Sequence, residues 1–392
     1  MVQSVARRIL ALAIMQAFFA TSGFSLLRPS IAAKLRYELD APAHFVTSFG
    51  SLLLLGRTLG SLIGGMYIIN IVKCFESMVQ PLSAFTIFLI IYYYSLSQFP
   101  TLILVLAFLQ GFAAGLMWPL LQSIIAVSAG SRRTAYLTLY TSLGGLGLVN
   151  GYILYTILGE NITFKIIVAS IFYVVTSIVA FVGLVSGYRS SCIPLEQRKV
   201  GIASKDAVSV VFFSLMYGLL AGIGAEYSYL VIWEVIGIEK SLLGIIYAVA
   251  DLAAAGIGIF IAKLAKRYSE ELLMLIGLTI MFLASLIGFA NQLLAVIGVG
   301  TYVAMVSALL GVARSYSVKL GGEQSVSGAL ALSNAASGIG VSLMGIMSGF
   351  IYVELQNLGP KGPLLLYPIM SLLLIVIVIV YKKSYKVSKD LK

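Results

Sequence analysis

The sequence predicts an all-α integral membrane protein in which twelve transmembrane helices form two pseudo-symmetric six-helix bundles. Three observations carry that prediction. Of 392 residues, 60% are apolar and only 10% charged, with a mean hydropathy of +1.02. A soluble domain carries about 25% charged residues, so this chain cannot clothe a water-facing globule of its length. Its apolar residues gather into twelve runs, each near the span of about 20 residues that crosses about 30 Å of hydrocarbon. Finally, the two halves of the chain match one another weakly at a single offset.

The runs cover residues 9–33, 44–68, 77–97, 101–127, 134–158 and 164–187, then 207–233, 241–264, 270–290, 292–315, 325–352 and 363–381. They are continuous and do not alternate in strands of about ten residues, which excludes a membrane β-barrel. Arg7 and Arg8 ahead of the first run imitate a secretory leader. The run continues far past a short leader core and shows no small-residue cleavage site, so it is read as span 1. The longest polar stretch, residues 188–206, is read as a cytoplasmic linker between an N-terminal bundle, 1–187, and a C-terminal bundle with a short basic tail, 207–392.

Lys and Arg accumulate on the cytoplasmic side of membrane proteins, so the loops report orientation. With the N-terminus inside, the inner segments hold 19 of these residues and the outer loops hold 5, namely Lys34, Arg36, Lys165, Lys240 and Lys361. The formal net charge of +11 is therefore a topological signature and gives no reason to expect nucleic acid. Both termini are expected in the cytoplasm and the protein in the cell membrane, multi-pass and monomeric. Cys74 and Cys192 fall on the inner side, where thiols stay reduced.

Sliding the chain by 193 or 194 residues places Arg57 to Lys73 on Asp251 to Arg267, with Gly64 on Gly258. The same shift places Leu137, Leu139, Gly145, Leu146 and Gly147 on Leu330, Leu332, Gly338, Ile339 and Gly340. Repeated helix bundles of this kind build many secondary transporters. Glycine pairs four residues apart, such as 56/60, 111/115, 147/151 and 218/222, are compatible with close helix packing without establishing it.

Four charged residues lie within spans away from the terminal residues: Arg28, Arg57, Glu226 and Asp251. A charge at the bilayer centre costs about 2.5–3.5 kcal/mol on insertion scales, so each needs a reason to be there. At 1.5 Å per residue, Arg57 lies roughly 18 Å into its span and Asp251 roughly 15 Å, both near the midplane, whereas Arg28 and Glu226 approach the outer interface. Arg57, a permanently charged forked donor, suits a carboxylate, a phosphate or sugar hydroxyls in a water-filled cavity. Asp251 suits a proton carrier, since burial raises a carboxyl pKa and a nearby cation lowers it. The alternative for both is that they fix the bundle interface without meeting substrate. Arg28 and Glu226 have the further option of reaching interfacial water.

With its helix count, orientation, central linker and repeat, the chain resembles the major facilitator superfamily over nearly its whole length. The loop after span 2, Gly56 to Lys73, keeps Gly65 and Lys73 of that family's pattern, with Ile69 where an acid is expected. Span 4 keeps Gln110 and Gly111, with Ala107 in place of an arginine; span 5 keeps Gly147, with Leu148 in place of the proline of drug antiporters. The resemblance implies that spans 1, 4, 7 and 10 line the cavity, making Gln16, Gln110, Trp118, Gln122 and Tyr302 candidate substrate-binding residues beside Arg57. Interhelical hydrogen bonding is the alternative for each. It also implies that spans 1 and 7 meet at the outer mouth. From the residues themselves, Arg28 and Glu226 are expected to form an ion pair that closes this gate, with interfacial anchoring as the alternative, and Asp251 or Glu226 is expected to carry the coupled proton. Trp233, with Tyr227 and Tyr229, is expected in an outer aromatic belt. His44 is expected at the outer interface. Asn161-Ile162-Thr163 is a possible glycosylation sequon.

The leading function is a secondary active transporter that moves a small organic anion or hydroxylated metabolite by alternating access, coupled to protons. No phosphate-binding GxxxxGK[ST] segment is present to harness ATP. The alternatives are a lipid or lipid-linked glycan flippase on the same scaffold, and a multispecific drug exporter. With one histidine, two cysteines and scattered acids, neither an enzymatic constellation nor a metal site is expected, and no cofactor is implied. The expected partners are a small-molecule substrate, protons and membrane lipid.

Overall fold

The structure is a computed structural model that describes residues 2–63, 75–129, 133–186, 204–265, 267–321 and 326–390. Gly65, Ile69, Lys73, Cys74, Arg132, Cys192 and linker residues 188–203 lie outside the described residues. The described residues contain twelve long helices. The first six are α1 (Val2–Ala33), α2 (Ala43–Ile63), α3 (Phe75–Leu96), α4 (Pro100–Ala129), α5 (Arg133–Ile157) and α6 (Ile162–Ser186). They are followed by α7 (Ser204–Gly222, prolonged by further turns to Val235), α8 (Leu243–Leu264), α9 (Glu270–Ile287), α10 (Gln292–Gly321), α11 (Val326–Gln356) and α12 (Leu366–Asp390). Each coincides with one expected span. Short polar side chains start several of them by satisfying a backbone N–H with no partner inside the helix. Asn161 accepts from Phe164 N at 2.9 Å to begin α6, Ser269 accepts from Leu272 N at 3.4 Å to begin α9, and Asn291 accepts from Leu294 N at 2.9 Å to begin α10.

The chain divides into two compact units. The first comprises residues 1–45, 52–198 and 240–248; the second comprises 46–51, 199–239 and 249–392. Within the first, α1 packs against α5 and α6, and α3 against α4 and α6; within the second, α7 packs against α10 and α11, and α9 against α10 and α12.

Glycine sets the closest of these contacts. A side chain at Gly56 or Gly60 would collide with the Phe108 or Phe112 carbonyl of α4, and one at Gly111 or Gly115 with the Leu53 or Arg57 carbonyl of α2. The spaced glycines of α2 and α4 thus face each other. In α5, Gly147 and Gly151 press on the Phe18 and Ser22 carbonyls of α1, and Gly340 of α11 presses on the Leu215 carbonyl of α7. Gly147 and Gly340 are the pair that the sequence repeat superposes. Each brings the fifth helix of its half onto the first.

Two lysines expected in outer loops lie instead in buried helix ends. The helical path of α1 continues through a π-turn, Lys34–Glu38, so that Lys34, 1% exposed, donates to the Tyr94 carbonyl at 2.9 Å and the Ser95 carbonyl at 3.1 Å. Its ammonium therefore satisfies the last carbonyls of α3, where the helix dipole favours a cation. Lys165, in the first turn of α6, places its Nζ 3.6 Å from the Tyr155 ring centroid.

Helix α7 breaks near its far end. Ala225 has φ −108° and ψ −122°, outside the helical region, within the π-turn Ile223–Tyr227; a second π-turn follows at Val231–Val235. A break frees backbone carbonyls that lipid cannot satisfy. Here the Tyr302 hydroxyl donates to the Leu220 carbonyl at 2.8 Å, and Ser228 Oγ donates to the Ile223 carbonyl at 2.8 Å while accepting from the Tyr367 hydroxyl at 2.8 Å. The Tyr227 hydroxyl donates to the Pro363 carbonyl at 2.6 Å. The aromatic belt expected of Tyr227, Tyr229 and Trp233 does not form, because all three side chains turn into the protein and are buried. Tyr227 joins Tyr302, Tyr352 and Tyr367 in a packed group with ring centroids 4.9–5.8 Å apart.

Candidate functional site

Helices α2, α4 and α5 of the first unit bring together three of the residues singled out by sequence. The close approach of α2 to α4 at Gly56, Gly60, Gly111 and Gly115 sets Arg57 beside Trp118, with Cζ 6.0 Å from the ring centroid. Trp118 meets the edge of Tyr140 on α5 at 6.2 Å and 63°, and the Gln122 carboxamide, one turn beyond Trp118, lies near the Tyr140 hydroxyl. The charge on Arg57 reaches the hydroxyls of Tyr140 and Tyr173. Arg57 and Gln122 are exposed, Trp118 is half-buried and Tyr140 is buried at its base.

Burial and exposure follow the chemistry of each group. A guanidinium is costly to desolvate, and an aromatic face within about 6 Å offsets part of that cost. The result is an exposed guanidinium, an aromatic wall and an amide on one face. This arrangement can hold a planar or anionic group by charge, stacking and hydrogen bonding together.

The other expected wall residues are held inside their own units. Gln16 is fully buried; its Nε2 donates to Gln80 Oε1 at 2.8 Å, and Gln80 Nε2 donates to the Met117 carbonyl at 2.7 Å, joining α1, α3 and α4. Gln110 accepts from the Tyr94 hydroxyl at 3.0 Å. Tyr302 is fully buried, at the break in α7. Of the remaining charges, Asp251 is half-buried on α8. Arg28 is half-buried on α1, with Cζ 5.2 Å from the Phe24 ring centroid. Glu226 is 3% exposed, in the π-turn of α7, where a side chain at Gly50 would collide with its carboxylate.

Tyr140 was not among the expected site residues. Tyrosines are numerous, 22 in the chain, and nothing in its local sequence sets this one apart. Its repeat partner, Ser333, offers no aromatic signal either.

The family model described as Major Facilitator Superfamily matches residues 13–321. The chain belongs to this superfamily. Solved structures of superfamily fold agree over nearly the whole length. A point mutant of the nucleoside transporter NupG superposes with a TM-score of 0.80 at 11% identity, covering 95% of this chain and 99% of that one. A POT family transporter in complex with 5-aminolevulinic acid gives 0.76 at 13% identity, covering 95% of each chain. No curated protein matches by sequence. The twelve-helix superfamily architecture and a role as a membrane transporter, not an enzyme, follow from the family match and these structural neighbours.

Proposed function

We propose that the protein is a secondary active transporter of a small organic anion or hydroxylated metabolite, working by alternating access and coupled to protons. The observation that carries this reading is the cluster of exposed Arg57 and Gln122 with half-buried Trp118 around Tyr140. Arg57 grips an acidic or hydroxyl-bearing group, Trp118 covers an apolar or planar face, and Gln122 supplies direction. Asp251 and Glu226 are the proposed proton carriers, and Arg28 and Glu226 the proposed outer-gate charges. The solved neighbours are named for nucleosides and peptides, polar solutes of the size proposed here. The orientation has both termini in the cytoplasm, as the distribution of basic residues suggests, and the membrane is that of the cell.

The test is uptake into proteoliposomes under an imposed pH gradient, using a ligand found by a thermal-stability screen of metabolites. Arg57→Gln is expected to abolish uptake and Arg57→Lys to weaken it, because lysine keeps the charge and loses the fork. Equal uptake by wild type and Arg57→Gln overturns the assignment. For the gate, the exchange Arg28→Glu with Glu226→Arg is expected to regain part of the activity that each single change removes.

A further inference from the structure

In the second unit, helices α7, α10 and α11 enclose a small recess lined by Ser214, Tyr217, Arg314, Ser317 and Ser333 among others. Three of its four serines, Ser214, Ser317 and Ser333, are all but buried, at 1%, 1% and 5% exposure, and their hydroxyls form a closed triangle with Ser214–Ser317 at 3.0 Å, Ser214–Ser333 at 2.8 Å and Ser333–Ser317 at 3.1 Å. Each hydroxyl comes from a different helix. The Ser317 hydroxyl also donates to the Ala313 carbonyl at 2.9 Å; because a hydroxyl both donates and accepts and its hydrogen rotates from one acceptor to another, the group can turn donors from these partners to an arriving anion. The recess has a volume of about 10 Å³, room for about one water or one oxygen atom and not for a whole solute. Arg314 stands at its rim with an exposed side chain, its charge reaching the Tyr217 hydroxyl, and among the described residues no carboxylate is ion-paired with it.

The repeat gives this place a counterpart. The helices α4 and α10 have the same length and begin at Pro100 and Gln292, a difference of 192 residues that puts Gln122 on Arg314. The starts of α5 and α11, Arg133 and Val326, differ by 193, which puts Tyr140 on Ser333. The first unit thus has an amide on a phenol where the second has a guanidinium beside a serine triangle. In its own bundle each group lies toward the end where the fifth helix begins and the fourth ends.

We propose that this recess is an oxyanion site: one oxygen of a carboxylate or phosphate group sits on the Ser214, Ser317 and Ser333 hydroxyls, and a second oxygen of the same group pairs with the Arg314 guanidinium. The one-oxygen recess and the cation at its mouth match the shape of such a group, whose remaining atoms lie outside. The site is separate from the Arg57 cluster, and neither assignment depends on the other. The anion can be the acidic end of the transported solute or a free small anion from solution; the shared chemistry is the oxyanion.

The experiment is thermal unfolding of the purified full-length protein titrated with inorganic phosphate and with acetate, at constant ionic strength held by chloride. A saturable stabilisation by phosphate or acetate is expected in the wild type. Losing a hydrogen bond to a charged group, worth about 1.5–3 kcal/mol, should move the half-maximal concentration up about tenfold to a hundredfold in Arg314→Gln. Ser333→Ala, a change small enough to spare the fold, should weaken the response in the same direction, and Arg314→Lys should fall between wild type and Arg314→Gln. Identical titrations in wild type, Arg314→Gln and Ser333→Ala overturn the proposal, as does a wild-type response no different from chloride alone. Counterflow of labelled phosphate into phosphate-loaded proteoliposomes separates the two sources: exchange that depends on Arg314 marks the anion as cargo, and binding without exchange marks a site for a free anion. Loss of uptake in Arg57→Gln with an unchanged anion titration keeps the two sites distinct.

Discussion

The Glu226 carboxylate occupies the space that Gly50 leaves by having no side chain. Both residues belong to the second compact unit, although Gly50 lies on α2. An acid this deeply buried tolerates little displacement, because it can move only by giving up the contacts that offset its desolvation. Gly50→Ala is expected to lower the unfolding midpoint, at a cost of about 1–3 kcal/mol for an overpacked site, and to impair transport. In a Glu226→Ala background the same glycine change should cost less, a non-additivity that a double-mutant cycle measures. An equal cost in both backgrounds would mean that Gly50 matters for another reason.

Gly111 and the Leu53 carbonyl support the Arg57 cluster from below. A β-carbon at position 111 has nowhere to go while α2 holds its place, and the neighbouring obstruction is backbone. Gly111→Ala should therefore separate the two helices, lowering the unfolding midpoint and weakening substrate affinity together, since Arg57 and Trp118 sit on opposite sides of that contact. Gly145, whose added β-carbon meets nothing, is the control: Gly145→Ala should leave both quantities unchanged.

Tyr302 separates a structural role from a substrate role. Its hydroxyl donates to the Leu220 carbonyl beside the break in α7. Tyr302→Phe leaves that buried carbonyl without its partner, a cost of about 1–3 kcal/mol that unfolding should reveal. If the residue only supports α7, the KM for the substrate stays within about twofold while the midpoint falls. A large rise in KM at unchanged stability would instead make Tyr302 a cavity residue, as the family resemblance suggests.

The twelve spans were legible because hydrophobicity over about 20 residues is a local property that needs no knowledge of neighbours. So was the equivalence of Gly147 and Gly340, since the repeat carries it. The break in α7 was not legible: the π-turns at Ile223–Tyr227 and Val231–Val235 accompany hydrogen bonds from distant parts of the chain, the Tyr302 hydroxyl on the Leu220 carbonyl and the Tyr367 hydroxyl on Ser228, which itself donates to the Ile223 carbonyl. Lys34 and Lys165 read as loop charges because sequence shows their distance from an apolar run and not the carbonyls or ring that receive them. At the candidate site the rare residue types, Arg57 and Trp118, stood out, and the common ones did not. Tyr140 and the serine triangle gain meaning only from their neighbours in space.

Lys34 offers a test of one of those readings. Its buried ammonium donates to two carbonyls at the end of α3. Lys34→Met keeps the apolar stem and removes the donors, so the unfolding midpoint should fall by the equivalent of about 1–3 kcal/mol for buried acceptors left unsatisfied. Transport measured below that midpoint should persist, because the residue lies apart from the Arg57 cluster. An unchanged midpoint would show that water or lipid headgroups satisfy the carbonyls as well as the lysine does.

Asp251 and Arg57 coincide under the sequence repeat, an acid in one half where the other has a base. If Asp251 carries the coupled proton, its neutral analogue should uncouple transport without abolishing it. Asp251→Asn resembles the protonated acid and cannot release a proton, so a pH gradient should no longer drive accumulation. Exchange of labelled for unlabelled substrate needs no net proton movement and should continue. Measured side by side in the same proteoliposomes, lost accumulation with preserved exchange assigns the coupling to Asp251. Accumulation and exchange both intact would remove Asp251 from the mechanism, and loss of both would place it in substrate binding or in the movement itself.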